Sequence, residues 1–74
     1  MATIREFTYE PVVREAKHSD VRAVVRAGDA DGEKFVQIDT YGSADREIGD
    51  KQSQSIRLTK EAFDFIKLVA ERHF

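Results

Sequence analysis

Seventy-four residues make one domain, residues 1–74, near the smallest size that folds without staples, and the lack of cysteine excludes disulfides and thiolate metal sites. Twelve basic against fourteen acidic residues give a net charge of −2, which argues against a polycation that holds duplex DNA by charge alone. No apolar run reaches membrane-span length and no signal-peptide core is present, so a soluble cytoplasmic protein is expected, its core efficient by itself or completed by a second copy.

Residues 3–9 favour a strand, since Ile4, Phe7, Thr8 and Tyr9 are strand-forming types. Pro11 lacks an N–H, so the strand bends there or lies at an edge, with Val12 and Val13 placed to resume it. Its register stays open, because one of the two choices points Glu6 into the core. Residues 15–20 are polar and read as a turn or an exposed strand end. Residues 21–27 fit two patterns. As a strand, Val21, Ala23, Val25 and Ala27 share one face and Arg22, Val24 and Arg26 the other; as a helix, Ser19 caps the start and Gly28 ends it. Three valines in a short stretch favour the strand. Residues 28–33 then form a turn around Asp-Ala-Asp-Gly.

Residues 34–41 are the clearest strand, with Val36, Ile38 and Thr40 on one side and Phe35, Gln37, Asp39 and Tyr41 on the other. Residues 42–51 form a polar loop with two glycines. After it, Ile56 and Leu58 alternate with Ser55 and Arg57 in a fourth strand. Thr59 supplies an N-capping oxygen, and Leu58 and Phe63 have the spacing of a hydrophobic staple. Phe63, Phe65, Ile66, Val69 and Ala70 then recur as one broad apolar helix face. The order implies an α+β fold: a four-stranded antiparallel sheet followed by one C-terminal helix packed on one face.

A helix lying over Val21, Ala23, Val25, Val36, Ile38, Ile56 and Leu58 leaves the other sheet face open. That face carries Arg22, Val24, Arg26, Phe35, Gln37, Asp39, Tyr41, Ser55 and Arg57, joined by Arg5, Phe7 and Tyr9 or their neighbours. Most acidic residues fall in loops or on the back of the helix. Arginine neutralises phosphate and aromatic rings stack unpaired bases without a sequence preference. The expected contacts are Arg22, Arg26, Lys34, Lys51 and Arg57 to phosphate and Phe35 and Tyr41 to bases. The same composition also suits the ordinary solvated face of an antiparallel sheet. On the helix flank, Phe65 and Leu68 mark a contact between two copies, which implies a homodimer.

Phe35-Val-Gln-Ile-Asp-Thr-Tyr41, the loop residues Gly49-Asp-Lys51, and Ser55-Ile-Arg-Leu-Thr-Lys-Glu-Ala-Phe63 leading into the helix resemble the positive cofactor 4 family of single-stranded-DNA-binding proteins. The likeness is to the family's small bacterial members, whose fold is that of a transcriptional coactivator. It covers residues 34–68. It implies a dimer whose paired sheets form a groove for single-stranded DNA or RNA, with a role in transcription or DNA maintenance. Three features depart from the family pattern. Ser55 replaces the glycine before the fourth strand's isoleucine, the arginine of strand three is absent, and Asp45, Glu47 and Asp50 dilute the lysine-rich loop.

No catalytic chemistry is legible. His18 and His73 lie at opposite ends of the chain, and His73 suits a helix C-terminus. Asp29, Asp31 and Glu33 lack the remaining spacing of a calcium loop. There is no phosphate loop, nucleophile elbow or zinc pattern. The expectation is therefore a non-enzyme without cofactor or metal. The rival class is a small protein-interaction or regulatory module whose open face docks another polypeptide; a weaker third is an accessory domain resembling part of a larger enzyme.

Overall fold

The structure is a computed structural model, and it describes residues 1–42 and 52–74. Four strands and a helix follow in order: β1 (Ala2–Ile4), β2 (Ala23–Ala30), β3 (Glu33–Tyr41), β4 (Gln52–Thr59) and α1 (Lys60–His73). They form one sheet of order β1-β4-β3-β2 with a C-terminal helix, an α+β arrangement. Most of the loop before β4, with Lys51, lies outside the described residues. Among the described residues, no helix is long and apolar enough to cross a membrane.

The ambiguous 21–27 stretch is a strand. It runs on through Gly28, Asp29 and Ala30, so the turn is tighter than the sequence suggests. Ala30 pairs with Glu33, and Asp31 and Gly32 both take positive φ, 52° and 78°. A two-residue loop with positive φ at both positions matches the right-handed twist of its flanking strands, and Asp-Gly is the pair that tolerates it.

The sheet is mixed rather than wholly antiparallel. β2–β3 and β3–β4 are antiparallel, whereas β1 runs parallel to β4. No hairpin ties β1 to β4, and the long 5–22 connection carries the chain from one sheet edge to the other. Its direction is therefore free of turn geometry. β1 is also shorter than the expected 3–9 strand. After Ile4, Arg5 reaches across to Glu33 at 2.8 and 3.0 Å. Phe7 then stacks on Phe65 of α1, with ring centroids 6.1 Å apart. The segment leaves the sheet to cover the helix, which also removes the Glu6 conflict: Glu6 is exposed.

The helix begins where the strand ends. Thr59 is the last residue of β4 and the N-cap of α1, its hydroxyl accepting from the Ala62 N–H. Leu58 and Phe63 line one apolar groove, as the staple spacing requires. The helix does not, however, blanket the apolar sheet face. Among the described residues the only buried apolar side chains are Leu58 and Ala62, while Val25 is 69% exposed and Phe63 42%. The radius of gyration is 14.5 Å, against about 11 Å for a compact chain of this length.

Candidate nucleic-acid interface

The strand register sorts the sheet's two faces residue by residue. Pairing Gln37 with Arg57, Asp39 with Ser55, Arg26 with Gln37 and Gly28 with Phe35 puts all of these on the face away from Val36 and Leu58. Tyr41 follows a register shift at Thr40/Tyr41, yet its hydroxyl still accepts from Arg26 Nη2 at 3.3 Å. The structure therefore brings together Arg26, Phe35, Tyr41 and Arg57, with Arg22 beside Tyr41.

Two of the expected contacts fall elsewhere. Lys34 is one residue from Phe35, so the period of two sends it to the opposite face. There it lines the apolar groove with Val36, Leu58 and Phe63. Phe65 is half-buried and engaged by Phe7 of its own chain, so its ring is committed inside the protomer. Leu68 remains 47% exposed.

The centre of the open face is Asp39, 2% exposed. Its Oδ1 accepts from Ser55 Oγ at 2.6 Å and Gln37 Nε2 at 3.0 Å, and its Oδ2 accepts from Arg26 Nε at 2.8 Å. The Ser55 hydroxyl and then the Arg26 guanidinium hold this carboxyl below its ordinary range, against the opposing pull of burial. Gln37 relays the network onward: its Oε1 accepts from Arg57 Nε at 3.3 Å and Nη2 at 3.0 Å. Buried carboxylates persist only with such compensation. Among the described residues no buried side-chain nitrogen or oxygen lacks a partner.

Both aromatic residues carry an arginine. The Arg57 guanidinium carbon lies 3.7 Å from the centre of the Phe35 ring, and that of Arg22 lies 4.9 Å from Tyr41. Such contacts contribute about 0.5–2 kcal/mol each, depending on desolvation. Gly28 makes room for the first stack, because a Cβ there would sit 2.6 Å from Phe35 Cζ. Sequence reasoning placed these side chains on one face but missed Asp39 as their hub. The available signal was an aspartate with two arginines and a serine at facing strand positions. It also missed Arg5–Glu33, a bidentate pair across the end of β4. Asp29, Asp31 and Glu33 form no metal-holding group among the described residues.

No family model, characterised protein or solved structure matches the chain.

Proposed function

We propose that this protein binds single-stranded nucleic acid with little sequence preference, as a homodimer. One observation carries the reading: a chain of net charge −2 gathers Arg22, Arg26 and Arg57 around Phe35 and Tyr41 on one sheet face. Charge and ring surface together are what an unpaired strand recognises. The resemblance of residues 34–68 to the positive cofactor 4 family supports the same reading and suggests a role in transcription or DNA maintenance. Exposed apolar residues on the other face, Val25, Ile56, Phe63 and Ile66, supply the surface for a second copy.

Fluorescence anisotropy with a labelled unstructured oligonucleotide tests it. Binding that weakens with salt, and weakens further in Tyr41→Ala and Arg57→Ala, is the expected result. Non-specific binding of this kind has dissociation constants of about 10⁻⁴–10⁻⁶ M at physiological salt. No binding at low salt with tens of micromolar protein overturns the reading.

The second reading is a protein-interaction module. It draws on Asp39, whose negative charge offsets Arg26 at the middle of the face and lowers its appeal to phosphate. It is favoured if a polypeptide partner co-purifies and nucleic acid has no effect.

A further inference from the structure

The open face differs along the length of β3. At the Phe35 end, a hollow of about 240 Å³ is lined by residues that include Thr3, Arg5, Asp31, Glu33, Phe35 and Arg57. Its two arginines are matched by two carboxylates, so its rim carries no net charge. Arg5 and Glu33 already bond each other in a bidentate pair. A phosphate entering there meets Asp31 and Glu33 and gains little. At the Tyr41 end stand Arg22 and Arg26 against Asp39 alone, a local excess of one positive charge.

The same asymmetry governs Arg57. Its guanidinium is held flat on Phe35 at 3.7 Å and by two bonds to Gln37 Oε1. Reaching a phosphate would break both bonds and the ring contact in exchange for one solvent-screened ion pair, which contributes little. Staying on the ring presents a planar surface to the ligand, and guanidinium planes stack unpaired bases as aromatic rings do. The hollow is smaller than the 300–1,000 Å³ typical of drug-sized ligands and is on the scale of one ring system.

Resting on the single-strand reading above, we propose that Arg57, backed by Phe35, is a base-stacking platform in an electrically neutral slot, and that phosphate is held at the Arg22–Arg26 end. A strand would thus lie along β3 with a base in the slot and its backbone toward Tyr41. Nothing in this assignment needs Arg57 to move.

The test separates plane from charge. Lysine keeps the charge of arginine but has no plane. For the full chain with oligothymidylate, Arg57→Lys is expected to weaken binding roughly tenfold, within the range of one lost base stack. The slope of log affinity against log salt should stay unchanged. Arg22→Ala and Arg26→Ala should each flatten that slope by about 0.7, one phosphate contact on a single strand. Independently of any variant, the Arg57 Nε–H proton should move further upfield in NMR spectra when oligothymidylate is added, as a base closes over it. The inference is overturned if Arg57→Lys binds like the wild type, if Arg57→Ala flattens the salt slope as a phosphate contact would, or if the proton moves downfield as the guanidinium leaves the ring. Those outcomes leave single-strand binding standing. A wild-type protein that binds no oligonucleotide overturns both.

Discussion

Asp39 is nearly inaccessible, yet it is the residue on which both sides of the open face depend. It orients Arg26 directly and Arg57 through Gln37. Its carboxyl is depressed when folded, chiefly by Ser55 and then Arg26. The unfolded chain returns it to about 3.9. A depressed acid stabilises the fold fully above its unfolded value and loses that contribution as pH falls through its folded value. The thermal midpoint of the wild type should therefore drop as pH is lowered from about 5 to below the ordinary aspartate range. Asp39→Asn should start lower and change less across that window, because the amide cannot accept from Arg26 in the same way and does not titrate there. Melts at fixed protein concentration check this; parallel profiles for the two proteins would refute it. Glu33 is also depressed, by Arg5, but that pair is well exposed and contributes little.

At the scale of elements, the β4–α1 junction makes one residue do two tasks. Thr59 closes the β3–β4 ladder opposite Phe35 and caps the helix. It is 1% exposed, so water cannot replace its hydroxyl at the Ala62 N–H. Thr59→Ala should cost about 1 kcal/mol, as capping losses do, or roughly 4–8 °C in the melting midpoint for a domain of this size. Thr59→Ser, which keeps the oxygen, should recover most of it. An alanine variant that melts with the wild type would remove the cap from the argument. This junction was legible in the sequence because alternation, cap and staple are local patterns. So was the face assignment of Arg26, Phe35 and Arg57, since alternation determines it once the strands exist. What was not legible depends on long-range pairing. The parallel seat of β1 and the departure of Arg5 and Phe7 from the sheet are set by Glu33 and Phe65, 28 and 58 positions further along the chain. The burial of Asp39 likewise required knowing that Ser55 faces it.

For the molecule as a whole, surface area decides what the apolar face must do. The chain exposes 6724 Å², whereas a compact monomer of 8.4 kDa exposes about 4,600 Å². Part of that excess belongs to the wholly exposed 8–23 stretch, and part to Val25, Ile56, Phe63 and Ile66. If half of it is covered by a second copy, the pair buries about 2,000 Å² in total, the size at which obligate homodimers begin. The sequence put the contact at Phe65 and Leu68. With Phe65 stacked on Phe7, the sheet-side residues are the better-placed surface, and the two sites make opposite predictions. Sedimentation equilibrium of the wild type at micromolar concentration should give twice the chain mass. Val25→Asp should abolish that dimer and with it the cooperative melt, since the protomer alone buries too little apolar surface to fold. Leu68→Asp should leave both intact. If Leu68→Asp dissociates the protein while Val25→Asp does not, the contact lies on the helix flank. A wild-type monomer with a sharp, concentration-independent melt would show that the chain needs no partner on either face.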